Sequence, residues 1–110
     1  MDSKFEVELL EEAFKFIKKQ DLKVRKKIFQ NINRSRFVND PKLLKKLNKN
    51  IWEFRTTYLG IQFRLLAFWD KRNESQKLVI ATHGFKKKTD KIAKKEIDKA
   101  EKIRQKYLEN

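Results

Sequence analysis

Hydrophobic and polar positions change rhythm along this chain, and each change predicts a different element. Phe5, Val7 and Leu9 alternate with Glu6 and Glu8, the two-residue period of a strand. Leu9, Leu10, Ala13, Phe14 and Ile17 then recur at helical intervals. The pattern predicts a brief N-terminal strand or extended arm, then a helix ending near Gln20; one helix starting at Ser3 is the competing reading. Asp21 is placed to cap a second helix, with Leu22, Ile28, Phe29 and Ile32 on its apolar side and Lys23, Arg25, Lys26, Lys27 and Arg34 on the other. Asn39-Asp40-Pro41 stops that helix by Val38, because the residue before a proline avoids the helical region. Lys42 to Asn50 reads as a short turn or loop, anchored by Leu43, Leu44 and Leu47, with Lys42, Lys45, Lys46 and Lys49 in water.

The next stretch is β. Asn50 to Tyr58 and Ile61 to Asp70 are rich in aromatic and branched residues, and Leu59-Gly60 between them suits a tight turn. Asp70 to Gln76 forms a polar turn, and Lys77 to His83 a third strand. Thr89 or Asp90 is then placed to cap a helix carrying Ala93, Ile97, Ala100, Ile103 and Tyr107 on one side. Helices, then strands, then a helix predict a single α+β domain over residues 1–110. If the Leu59-Gly60 hairpin closes symmetrically, Trp52 faces Ala67, Phe54 faces Leu65 and Thr56 faces Phe63 on a core-packed sheet face. Arg55 then lies across from Arg64 on the opposite face, near Glu53, Thr57 and Gln62. Bulk assigns Leu78, Ile80 and Thr82 to the core face, which puts His83 with the arginines; a one-residue slip inverts this.

Charge changes the picture. The chain has 110 residues, 40% of them charged, and a formal net charge of +14. Apolar residues at 39%, including nine Phe and two Trp, still suffice for a folded core. A surplus of this size calls for a polyanionic partner, nucleic acid first, because Lys and Arg displace counterions from phosphates. An anionic membrane fits less well, since the cations are spread over several segments. No cysteine is present and only one histidine, so thiolate metal sites and disulfides are excluded and no metal or other cofactor is expected. The N-terminus lacks a secretory layout and no apolar run spans a bilayer, so a cytoplasmic location is expected. Walker loops, paired-histidine metal motifs and nucleophile elbows are missing.

The stretch His83-Gly84-Phe85-Lys86-Lys87-Lys88-Thr89 concentrates the candidate chemistry. It sets a titratable imidazole, a flexible glycine and three ammonium groups where a strand meets a helix, a place suited to a phosphate and a mobile proton. Each residue also has a plainer reading. The arginines could pair with Glu53 and solvent on an exposed sheet face, His83 could be structural, and the lysines could form a solvated run. Arg64 stands out because it sits centrally in an otherwise apolar strand.

Three blocks resemble the RelE/ParE toxin superfamily, in its HigB-like, phage-related branch: Ile51-Trp52-Glu53-Phe54-Arg55, Gly60-Ile61-Gln62-Phe63-Arg64, and His83 to Thr89. The likeness runs from Leu47 to Leu108 and continues through Glu96-Ile97-Asp98-Lys99-Ala100. It implies a small antiparallel β-sheet with two N-terminal helices packed on one face and a C-terminal helix. It also implies the toxin of a type II toxin–antitoxin pair, with a cognate antitoxin, often bearing a helix-turn-helix domain, through which alone the toxin meets operator DNA. Most relatives of the branch are ribosome-dependent mRNA endoribonucleases. By resemblance, Arg64 and Lys86 contact the scissile phosphate and Arg55 matches a recurrent basic position. The sequence departs from some ribonucleases of the group, which carry a Tyr shortly after the basic cluster; here Ile92 stands near that place, and Tyr107 is too far along.

The resulting expectation is metal-independent attack by the RNA 2′-hydroxyl. Arg64 and Lys86 would stabilise the transition state and His83 would move the proton, with a lysine as substitute. Arg55, Lys87, Lys88, Lys49 and Lys46 would bind RNA. Two other readings stay open: a ParE-like gyrase poison, and a non-catalytic basic module that binds RNA or the ribosome.

Overall fold

Phe63 to Phe68 is buried residue by residue, so this run has no solvent face and needs cover on both sides. The computed structural model, which describes residues 3–73, 78–88 and 91–109, supplies that cover with helices above and below one sheet. In chain order the elements are β1 (Glu6–Leu9), α1 (Glu11–Lys18), α2 (Leu22–Ser35), β2 (Leu44–Lys46), β3 (Trp52–Tyr58), β4 (Ile61–Asp70), β5 (Leu78–Lys87) and α3 (Lys94–Glu109). The five strands lie in the order β1-β5-β4-β3-β2. β1 runs parallel to β5, and the other neighbours are antiparallel.

Alternation along β4 divides the core. Phe63, Leu65 and Ala67 join Phe54, Val79 and Ala81 against Ala13 and Ile17 of α1 and Val24, Ile28 and Ile32 of α2. Leu66 and Phe68 join Ile51 and Ile80 against Ala100, Ile97 and Tyr107 of α3. Phe68 and Tyr107 meet edge to face at 5.4 Å. The two N-terminal helices thus share a face, while α3 takes the other. Arg36 ties β1 to the end of α2, pairing its guanidinium with both carboxylate oxygens of Glu6 at 2.8 Å and donating from Nε to the Phe5 carbonyl.

The central hairpin follows its apolar pattern. Leu59 and Gly60 both have positive φ, 50° and 78°, as a two-residue turn matched to strand twist requires. The pairs Trp52–Ala67, Phe54–Leu65, Thr56–Phe63 and Arg55–Arg64 follow from it.

Several elements depart from expectation. The Lys42–Asn50 segment contains an edge strand, β2, paired with β3. Alternation was hard to see there because only Leu44 of its three residues is buried. Asp21 precedes α2 but its side chain makes no capping hydrogen bond. Thr89 and Asp90, the expected caps of the last helix, lie outside the described residues. β5 continues to Lys87, so His83 to Lys87 is strand rather than a strand-to-helix turn.

The expected faces of β5 are also corrected. Ile80 faces α3, whereas Val79 and Ala81 face α1 and α2. Bulk does not separate the faces because both are dry. A β-bulge then resets the register: Ala67 pairs with Ala81 and Leu66 with His83, leaving Thr82 as the extra residue. Without it, His83 would follow Val79 and Ala81 to the α1/α2 face. The imidazole reaches the arginine face through this bulge, not through simple alternation.

Gly84 has a different role from a flexible hinge. It lies within β5, its φ is not positive, and a Cβ there would collide with the ring of Phe16 and with Leu65 Cδ2 at 2.6 Å. The missing side chain lets α1 settle onto the sheet. Gly84→Ala is therefore expected to destabilise the fold by about 1–3 kcal/mol through overpacking, read as a lower urea midpoint at unchanged slope.

Candidate active site

Arg55 and Arg64 lie directly opposite on β3 and β4, an arrangement that repels unless something intervenes. Glu53 intervenes. Its carboxylate is buried two residues along β3, with Oε1 3.4 Å from Arg55 Nε and Oε2 3.7 Å from Arg64 Nε. The remaining guanidinium donors find other partners. Arg64 Nη1 donates to the Phe63 carbonyl at 3.0 Å and Nη2 to Gln62 Oε1 at 2.7 Å. Arg55 Nη1 donates to the Pro41 carbonyl at 3.2 Å. Both Nε atoms and Glu53 Oε2 are buried without a hydrogen-bond partner, so this trio is held by charge rather than by tight geometry.

Arg64 is only 2% exposed, and burial lowers its pKa from the ordinary guanidinium value, with Glu53 opposing and Arg55 adding to the shift. An arginine nonetheless keeps its proton in a protein. One carboxylate against two guanidinium groups leaves a net positive charge on this face. Arg55, with 28% of its side chain exposed, is the member that reaches solvent. Lys45, across from Glu53 on the edge strand, belongs to the same face.

His83 is buried on that face, its ring 6.0 Å from Phe85. Nε2 lies 3.2 Å from Glu96 Oε1 at the start of α3, and Nδ1 lies 2.9 Å from Thr82 Oγ1. Thr82 Oγ1 is also 3.2 Å from the Leu66 carbonyl. The threonine has one hydroxyl proton, so the network has two self-consistent states. With a charged imidazole, both ring nitrogens donate and the Thr82 hydroxyl donates to Leu66. With a neutral imidazole donating to Glu96, Thr82 turns its hydroxyl to Nδ1. Burial lowers the His83 pKa from its ordinary value, Glu96 opposing and Lys99 adding, which favours the neutral state.

The lysines do not converge as expected. Lys86 pairs with Phe63 and so projects on the α1/α2 face, its Nζ 5.8 Å from the centre of the Phe63 ring. No bulge separates His83 from Lys87, so adjacent lysines take opposite faces. Lys87, across from Gln62, is the lysine that joins Arg64. Lys88 is exposed just beyond the strand. Lys46 pairs with Trp52, and Lys49 follows in the loop, both toward the other end of the sheet. Trp52 precedes Arg55 by three residues, roughly 10 Å of strand. The structure therefore groups Arg55, Arg64, His83 and Lys87, and separates them from Lys86, Lys46 and Lys49.

Sequence reasoning saw only part of what holds these side chains. Glu53 was visible as a partner for the arginines, but on an exposed face rather than a buried one, and Gln62 only as a neighbour. Thr82 depends on a bulge that has no sequence signal, and Glu96 on how α3 lies over β5.

Two outcomes follow. Glu53→Gln leaves the buried Arg64 guanidinium facing the partly exposed Arg55 with no carboxylate between them, and is expected to cost on the order of 3 kcal/mol in chemical unfolding. A histidine with a lowered folded-state pKa binds its proton more readily when unfolded, so its contribution falls as pH drops below the unfolded value. The urea midpoint should thus decline between about pH 7.5 and about pH 5.5, and His83→Gln should flatten that part of the decline.

Among the described residues no helix is long and apolar enough to cross a membrane. No curated protein and no solved structure matches the chain significantly. A family model does match: phage-derived protein Gp49-like (DUF891), over residues 15–105, which takes in everything from within α1 to within α3. With most of its length covered, the chain belongs to this Gp49-like family, a type II toxin family of general RelE/HigB-like character, and membership implies a cognate antitoxin.

Proposed function

We propose that this toxin acts on RNA and cleaves it at the face that carries Arg55, Arg64 and Lys87. The observation that supports this reading is the opposed arginine pair, kept together by a single buried carboxylate and continued along the sheet by Lys87. Such a row presents several positive charges on one face to a polyanion. Arg55 and Lys87 touch the phosphate from the open side. Arg64 lies behind them as a fixed positive charge that favours the crowded, more negative transition state. The RNA's own 2′-hydroxyl attacks the adjacent phosphorus while the bond from phosphorus to the 5′-oxygen breaks, giving a 2′,3′-cyclic phosphate and a 5′-hydroxyl end. The 2′-proton passes to water or His83 and a proton is returned to the leaving oxygen; the step requires no metal. Lys87, in place of Lys86, is the lysine partner of the arginines.

His83 is 3% exposed with both nitrogens engaged, so direct proton transfer requires the start of α3, which carries Glu96, to move off β5. The ribosome supplies the positioned mRNA in this reading, and operator DNA is met only through an antitoxin with a helix-turn-helix domain. The burial of Arg64 and His83 favours a second reading: the toxin binds RNA or the ribosome through the same face and blocks translation without cutting.

Adjacent lysines on opposite faces make a clean test. Under tight induction, Lys87→Ala and Arg55→Ala should relieve growth arrest at least tenfold in surviving colonies, whereas Lys86→Ala should stay toxic. Mapping new RNA 5′ ends separates the mechanisms: cuts within translated codons mean cleavage, arrest without cuts means binding alone, and a DNA-damage response points to gyrase. Full toxicity of both Lys87→Ala and Arg55→Ala would remove this face from the mechanism.

A further inference from the structure

At the end of the sheet where β3 begins and β4 ends, a cleft of about 620 Å³ is lined by Lys46, Lys49, Asn50, Trp52, Trp69, Lys71, Asn73 and Arg104. It is distinct from the arginine face and uses residues from three strands or their loops and from α3. Its volume lies within the range of small-molecule and nucleotide sites. Both tryptophans of the chain are in its wall, 6.0 Å apart with their planes at 79°. Four cations share that wall. Lys46, Lys49, Lys71 and Arg104 enter no ion pair among the described residues, whereas Arg36, Arg55, Arg72 and Lys99 are each matched with a carboxylate. Among the described residues no carboxylate lines the cleft; Glu101 accepts from Asn50 Nδ2 at 3.3 Å.

Unmatched cations around indole rings recognise one kind of ligand best. Phosphates satisfy the ammonium and guanidinium groups, and a flat, unpaired base covers the aromatic surface. An acidic peptide would answer the charge but leave the indoles uncovered. A duplex would answer the charge but keep its bases stacked on each other. The rings stand nearly perpendicular, so a planar group touching both lies flat on only one, and the cleft takes one base at a time. We infer that this cleft is a second, non-catalytic seat for single-stranded nucleic acid, holding one base against Trp52 or Trp69 and the flanking phosphates on Lys46, Lys49, Lys71 and Arg104. The inference rests on the RNA reading only for the identity of the strand.

The tryptophans report on their own site, because the chain has two and both line the cleft. Intrinsic fluorescence of the intact protein is titrated with a short oligouridylate, its deoxy counterpart, an abasic oligomer of equal charge, a duplex and polyglutamate. Saturable quenching by the single strands is expected, with at least tenfold weaker binding for Lys46→Glu combined with Lys49→Glu. A control of equal charge change on exposed α2 residues, Lys26→Glu with Lys27→Glu, should stay within about threefold of wild type, the residual long-range electrostatic effect. Tighter quenching by the ribose strand identifies RNA as the natural occupant, and equal quenching identifies either single strand. Quenching that is absent, that is matched by the abasic oligomer, duplex or polyglutamate, or that falls equally in the two double variants would overturn the inference. Lys87→Ala should keep the quench, so loss of cleavage with intact quenching, or the reverse, shows which of the two sites has failed.

Discussion

Two-sided burial of β4 is the constraint on which the rest of this structure depends. A strand with no wet face must be flanked by neighbours in the sheet and roofed on both sides, and a chain of 110 residues has little to spare for that. Helices α1 and α2 cover one side and α3 the other. Within that sandwich sits Arg64, a permanent cation that ordinary cores exclude. Its presence demands Glu53, and Glu53 in turn holds Arg55. The positive face is thus a by-product of burial as much as a surface feature, and the cost of keeping it is carried by the packing around it.

Much of this was legible in the chain because it rests on local rules. The period-two run from Trp52 to Tyr58, the left-handed pair Leu59-Gly60 and the apolar run after Ile61 determine a hairpin and its register without outside help. The opposition of Arg55 and Arg64 follows from them. The α+β order and the N-terminal strand were readable for the same reason. What was not readable involves partners distant in sequence. Which side of β5 is wetter cannot be inferred when neither side is wet, so the bulk of Ile80 gave a false cue. A bulge at Thr82 adds a residue without any marker such as glycine or proline.

The expected grouping of Arg64 with Lys86 failed for a reason of parity. A basic run in a strand divides itself between two faces, so three consecutive lysines never act as one patch while the strand lasts. Lys87 stays with the arginines, and Lys86 lies over Phe63. Gly84 shows a related error of inference. Its value is the space it leaves for Phe16, not the freedom of its backbone. Conversely, the basic cleft at the far end of the sheet gathers Lys46, Trp52, Lys71 and Arg104 from segments that share no motif, which is why no local pattern announced it.

The parallel pairing of β1 with β5 bears on how the molecule comes into being. Among the described residues, residues 6–9 find their strand partners at 78–81, so β1 emerges from the translating ribosome long before the strand it joins. Contacts this far apart along the chain close slowly and late. The edge is seated only once β5 has been made, and α3, which closes the other roof, comes later still. A growing chain therefore carries β1 without its strand partner, and β4 without its second roof, until β5 and then α3 have been made.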